Sequence, residues 1–398
     1  MTATDRLAVL AARAAEAATH APAFARRLAE AELTPADLAQ HEGLNRLPIL
    51  SKETLMRMQA ADPPFAGFLS CPPEQVAHVF ASPGPIFEPV LAEDATGMGM
   101  SRMFAAAGLG PSDVALNTWS YHLVPAGLLF DRGLRAVGAT VIPSGPGQTE
   151  LQLGMIAALR VTAFLGSATY FETVAEAWRT AHGATAGHWP LRHAFLVGEP
   201  GGWPERRARI EADHGVQVHT AYGTADLGLV GHERRGLPGY DLHPERLVQI
   251  CDRETGQPLP AGQIGQVVVS TLARGWPMIR FGTGDLASAL EIGPDGLVHR
   301  LGPIAGRMGT GVKVREIFIY PDHLTRLAAD LPGSGREARA AITREGGRDV
   351  ITLELTGRPI PDEQVAEAFR RITRLGLDRV VATDRFTIAA PLHDARRG

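Results

Sequence analysis

Five short apolar runs, VALNTW (114–119), ATVIPSG (139–145), VTAFLGS (161–167), HAFLVGE (193–199) and VQVHTAYG (216–223), alternate with the helical stretches ELQLGMIAALR (150–160), YFETVAEAWRTA (170–181) and WPERRARIEADHG (203–215). Runs too short for helices, bounded by Gly and Ser, read as strands buried on both faces. Their alternation with amphipathic helices predicts an α/β fold with a mostly parallel sheet wrapped by helices. Ligands of such sheets bind at the carboxyl ends of the strands, so the informative loops are Ser144-Gly145-Pro146, Gly198-Glu199-Pro200 and Tyr222-Gly223.

Outward from this block the texture changes on both sides. Residues 1 to about 75 read as a helical lead-in, ending in the Pro-rich connector ADPPFAGFLSCPP (61–73). From 240 to 305, LVQICD (247–252) and QVVVST (266–271) flank RETGQPLPAGQIG (253–265), a hairpin pattern that predicts a β-rich module completing a large domain, 1–305. Residues 307–398 form a third block: VREIFIY (314–320), PDHLTRLAADL (321–331), ARAAITRE (338–345), DVITLELTG (349–357), DEQVAEAFRRITRLG (362–376) and RVVATD (379–384). This β-α-β-β-α-β string predicts a small, mobile, ferredoxin-like α+β domain, with a hinge near 306–312.

Composition narrows the function classes. The 398 residues carry 39 basic and 43 acidic side chains, a net charge of -4. That balance lacks the broad basic footprint of a nucleic-acid binder. Cys71 and Cys251 are too few and too far apart for a disulfide framework or a CxxC site. No apolar run approaches the roughly 18 residues of a membrane span, and Asp5, Arg6, Arg13 and Glu16 interrupt any signal-peptide core, so an unprocessed cytoplasmic protein away from membranes is expected. No GxGxxG follows a strand, and neither GxxxxGK[ST] nor GxSxG occurs. His232 and His243 near Cys251 have no recognised zinc spacing. Only Lys52 and Lys313 are lysines; the other 37 basic residues are arginine, which limits any mechanism that needs a lysine.

A set of segments then stands out in a fixed order: LPILSKETL (47–55), ASPGPIFEPV (81–90), SRMFAAAGLGPSDVALNTW to VGATVIPSGPGQTELQL (101–153), GEP (198–200), AYGTADLG (221–228), GQIGQVVVSTL (262–272), WPMIRFGTGDLA (276–287) and AGRMGTGVKVREIFIYP (305–321). The order resembles the phenylacetate-CoA ligase and coenzyme F390 synthetase branch of the adenylate-forming superfamily. The resemblance covers nearly the whole chain. It implies a two-step reaction in which a carboxylic acid attacks ATP to give an acyl-adenylate, and a thiol, usually CoA, then displaces AMP. ATP or AMP, magnesium and CoA are the implied cofactors, and an aromatic or acyl acid is the implied substrate. A homodimer is compatible with the sequence.

Residue by residue, the resemblance implies that Asp285 accepts both ribose hydroxyls, that Arg307 touches the ribose, that Glu199 and Pro200 border adenine, and that the Tyr222 ring stacks on the base beside Gly223. Asp226 stands where relatives carry a magnesium-binding glutamate, one methylene longer, and with Lys313 it completes the candidate catalytic residues. The stretch Asn117–Gly127, with Tyr121, His122 and Val124, and the separate Tyr170 are candidate walls of an acid pocket.

Two departures bear on the first half-reaction. The phosphate loop of relatives is Gly- and Thr-rich with a lysine; here it is Ser82, Pro83, Gly84, Pro85, Ile86, Phe87, Glu88, which deletes NH donors and is expected to turn a carboxylate toward phosphate. No lysine follows Lys313, so Arg396 or Arg397 would have to supply the charge of the C-terminal lysine. The reading is a carboxylic-acid activating ligase. Its alternatives are a degenerate homologue that binds AMP or acyl-CoA, and an enzyme that performs only the thiol-transfer half-reaction.

Overall fold

The computed structural model describes residues 3–82, 85–183, 189–197, 203–308, 312–315, 317–319, 321–333, 335–388 and 390–396. The chain divides into two compact units, 1–306 and 307–398.

The first unit begins with α1 (Ala3–His20), α2 (Pro22–Glu30), α3 (His41–Arg46), β1 (Leu50–Ser51) and α4 (Lys52–Ala61), followed by the hairpin β2 (Val76–Ser82) and β3 (Ile86–Leu91) and by α5 (Ser101–Ala106). The alternating block follows: β4 (Val114–Asn117), α6 (Ala126–Ala136), β5 (Thr140–Pro143), α7 (Thr149–Ala158), β6 (Ala163–Gly166), α8 (Ala168–His182), β7 (His193–Leu196), α9 (Trp203–His214) and β8 (Gln217–His219). These five strands form a parallel sheet in the order β5-β4-β6-β7-β8. Side chains of a strand alternate between faces. Phe164 and Ala194 therefore pack with Phe171, Trp178 and Ile210 on one side, whereas Leu165 and Phe195 pack with Phe104 and Leu134 on the other. Burial on both faces is why these strands read as unbroken apolar runs.

The next strands are β9 (Ala221–Thr224), β10 (Gly228–Glu233), β11 (Tyr240–Leu242), β12 (Arg246–Cys251), β13 (Ile264–Thr271), β14 (Phe281–Ile292) and β15 (Val298–Leu301). They join a second, largely antiparallel sheet in the order β1-β14-β13-β12-β15-β11-β10-β9. The β-rich module is thus wider than 240–305, because it recruits 221–233 and Leu50–Ser51. Its core includes Leu10, Phe24, Leu38, Val248, Val269 and Phe281, so the helical lead-in is one wall of this sheet. β1 runs parallel to β14 with Leu50 opposite Phe281 and Ser51 opposite Gly282, which carries the start of α4 to the TGD segment.

After β16 (Gly306–Arg307), the second unit contains β17 (Val312–Val314), β18 (Ile317–Ile319), α10 (Pro321–Asp330), β19 (Ala338–Glu345), β20 (Arg348–Leu355), α11 (Asp362–Thr373), β21 (Arg379–Ala382) and β22 (Leu392–Asp394). Val365 and Phe369 of α11 pack with Ile342, Ile351 and Leu353. The sheet order is β21-β20-β19-β22. One strand differs from the ferredoxin-like expectation: VREIFIY does not join this sheet. Arg315 takes φ +47, and β17 and β18 pair with each other as a separate two-stranded hairpin. Leu392–Asp394 fills the edge beside β19 instead.

Candidate active site

The order β5-β4-β6 means that the chain leaves β4 toward one side of the sheet and β6 toward the other, opening a crevice at their carboxyl ends. Tyr121 follows β4, and Tyr170 opens α8 after β6. The Tyr121 hydroxyl accepts from Asn117 Nδ2 at 2.8 Å and donates to Asp131 Oδ2 at 3.3 Å. Burial first, and the Asp131 charge second, push its pKa up, so it stays a neutral hydroxyl. The Tyr170 hydroxyl lies 2.6 Å from Gln152 Oε1 and 2.9 Å from Gly147 O, bracing the loop after β5. His122 is exposed and Val124 half-buried on the same connection as Tyr121.

Across β9, β14 and α4, three candidates meet a residue that motif reading passed over. The Tyr222 hydroxyl donates to Asp285 Oδ2 at 2.9 Å, and the Asp285 amide donates to Thr283 Oγ1 at 3.1 Å. The Tyr222 ring is buried at 7% exposure and packs near Tyr240. The hydroxyl of Tyr222 thus fixes one oxygen of Asp285, the residue expected to meet the ribose. Gly223 lies against β10, where an added Cβ would meet Gly228 O at 2.6 Å.

Asp226, fully buried, forms an ion pair with Lys52 Nζ at 2.7 Å. Lys52 is the first helical residue of α4, after the Ser51 cap, whose Oγ accepts from the Thr54 amide. In the sequence Lys52 stands out as one of two lysines and as part of the segment LPILSKETL, with no signal of its partner. Beside the pair lies Glu88, 1% exposed, accepting from Ser82 Oγ at 2.8 Å across the β2–β3 hairpin. Glu88, expected to face a triphosphate, shares a strand face with the buried Ile86 and Val90 and is itself buried. Burial, reinforced by the Asp226 charge, pushes its pKa up to about 8, so near neutrality it is largely an uncharged acid.

This protonation predicts a pH dependence. Between the ordinary carboxyl value of 4.5 and about 8, folded Glu88 keeps a proton that the unfolded chain has released. Stability therefore falls as pH rises through that window and levels off above it. Glu88→Gln should melt above the parent protein near pH 9 and match it closely near pH 4 in differential scanning calorimetry. A constant difference across pH would contradict the assignment.

The remaining candidates divide differently. Glu199, Pro200 and Gly84, like Pro83 and Arg397, lie outside the described residues, as does the side chain of Arg307. Lys313 lies on β17 in the second unit, where its carbonyl accepts from Arg396 Nη2 at 2.7 Å. Arg396 also binds Asp349 at 2.8 Å and Asp394 at 2.7 Å. Those bonds occupy its guanidinium within its own unit, which counts against it as a replacement for the missing lysine. Magnesium fits Asp226 poorly: a hard cation seeks several oxygen ligands, and here an ammonium already stands against the carboxylate. Among the described residues, no group of three or more His, Cys, Asp or Glu side chains is arranged to hold a metal ion.

No protein-family model matches the chain. It is 30% identical over 384 residues to the phenylacetate-coenzyme A ligase of Thermus thermophilus, spanning 89% of this chain and 83% of that one. The chain belongs to the phenylacetate-CoA ligase family, and its class is that of the acid–thiol ligases, which use ATP and CoA. The Escherichia coli phenylacetate-coenzyme A ligase is 26% identical over 350 residues, covering 84% and 77% of the two chains. Among solved structures, 2-hydroxyisobutyryl-CoA ligase in complex with 2-HIB-AMP and CoA superposes with a TM-score of 0.86 at 23% identity, covering 100% of this chain and 91% of that one. No helix among the described residues is long and apolar enough to cross a membrane.

Proposed function

We propose that the protein joins an aromatic or acyl carboxylic acid to CoA through an acyl-adenylate. A carboxylate oxygen attacks the α-phosphorus of ATP and pyrophosphate leaves; the CoA thiolate then attacks the acyl carbon, and AMP departs. Asp285 receives the ribose hydroxyls, held for that task by Tyr222. The crevice braced by Tyr121 and Tyr170 receives the acid. The observation that carries this reading is the Tyr222–Asp285 hydrogen bond beside the Lys52–Asp226 ion pair, in a chain similar to phenylacetate-coenzyme A ligases over most of its length.

The prolines of the 82–89 loop and the absence of a late lysine weaken activation relative to transfer. Each missing preorganised charge contact typically costs about 10² to 10³ in rate. Incubation with ATP, CoA and a panel of aryl and short acyl acids should yield acyl-CoA, AMP and pyrophosphate. Transfer from a synthetic acyl-adenylate to CoA should run faster than the full reaction. Transfer without pyrophosphate release from any acid would leave only the thiol half-reaction. The absence of both would make the chain a binding protein.

A further inference from the structure

We propose that Lys52 takes the place of a metal ion at Asp226, as a tethered cation that receives the phosphate of an adenylate without a divalent ion. The inference rests on the adenylate-binding reading above and names which group in that site meets the phosphate.

Three observations carry it. First, Lys52 sits at the N-terminus of α4, where the helix dipole disfavours a cation. A chain that otherwise uses arginine almost throughout places a lysine there, a compact charge on a long stem. Second, the pair is asymmetric: the Asp226 side chain is 0% exposed and that of Lys52 is 20% exposed. The ammonium is thus the member of the pair that solvent, or a ligand, can reach. Third, the fold aims it at the nucleotide elements. Ser51 pairs with Gly282, Lys52 Nζ lies 5.8 Å from the centre of the Phe281 ring, and Asp285 follows on the same strand. Asp226 follows the strand that holds Tyr222, the hydrogen-bond partner of Asp285.

A divalent ion at Asp226 would have to displace an ammonium at 2.7 Å, and the neighbouring Glu88 is buried and tied to Ser82. The ligand that fits is a nucleoside monophosphate or an acyl-adenylate, whose single phosphate carries less charge than a free triphosphate. Magnesium then enters only as the counter-ion that ATP brings in solution.

The test uses the full chain, AMP and manganese, with no acid or CoA present. Calorimetric affinity for AMP should be the same in EDTA as in magnesium, and Mn²⁺ should show no protein-bound electron paramagnetic resonance signal without nucleotide. Lys52→Met should weaken AMP binding by about 10- to 100-fold, the value of a charge-assisted hydrogen bond, and Lys52→Arg should restore part of it. Because Lys52→Met leaves Asp226 buried and unpaired, the double variant Lys52→Met/Asp226→Asn removes both charges and should show the same loss. The proposal is overturned by Mn²⁺ bound in the parent protein and released by Asp226→Asn. Parental AMP affinity in the double variant overturns it equally. Neither result depends on acyl-CoA formation, so a failure here is distinguishable from a failure of the proposed reaction.

Discussion

Arg280→Ala should lower unfolding free energy by about 3–5 kcal/mol, the range for breaking a buried charged network. Arg280 is 2% exposed. Its Nη1 donates to Asn45 O and Leu47 O, both at 2.6 Å, and its Nη2 donates to Gly256 O. Nε reaches Gln249 Oε1 at 3.4 Å, and its own carbonyl accepts from the Leu50 amide at 2.9 Å. One guanidinium thus joins the helical lead-in, the 253–265 turn and β14. Alanine leaves three carbonyls without their donor, at roughly 1–3 kcal/mol each, and opens a cavity. Relief of the desolvated charge offsets part of that loss, which is why the expected total is below the sum. Arg280→Lys should recover less than half, since an ammonium cannot reproduce the planar fork. Urea denaturation followed by tryptophan fluorescence measures both variants, and an unchanged midpoint for Arg280→Ala would remove this residue from the account. Nucleotide affinity should fall with stability, because the same contacts set β1 and hence Lys52.

Asp285→Ala should weaken AMP binding by about 2–4 kcal/mol, roughly 30- to 1,000-fold, through loss of charge-assisted hydrogen bonds to two ribose hydroxyls. Folding should change little, because Asp285 is half-buried and its backbone is fixed by Thr283, whose hydroxyl donates to Val267 O at 3.0 Å. Tyr222→Phe deletes only the hydroxyl that orients Asp285 and should cost about 1 kcal/mol. The ordering of these two variants is diagnostic. If Tyr222→Phe leaves binding untouched while Tyr222→Ala abolishes it without unfolding, the ring meets the base after all. If Asp285→Ala binds AMP normally in calorimetry, the ribose assignment fails.

Much of this was legible before any coordinates. The runs at 114–117, 163–166 and 193–196 announce a two-faced parallel sheet because burial on both sides demands unbroken apolar side chains. The segment DEQVAEAFRRITRLG (362–376) announces α11, since Val365, Phe369 and Ile372 repeat at helical spacing. The burial of Glu88 was legible too: Ile86, Glu88 and Val90 are two residues apart, and on a strand such residues share a face. Motif position supplied its place on the loop and said nothing of its direction.

Local patterns of apolarity, turn residues and spacing therefore determined the sheet-and-helix order and the β-rich stretch, while the family was legible only as a resemblance between ordered segments. Only the tertiary structure decided that Lys52 pairs with Asp226, that the Tyr222 hydroxyl bonds Asp285, that Arg280 locks the lead-in, and that VREIFIY leaves the C-terminal sheet. Each of these joins residues distant in sequence, or depends on a single backbone turn such as that at Arg315. Periodicity reports which face of an element is buried; it carries no information about which charged group meets which once those faces are packed.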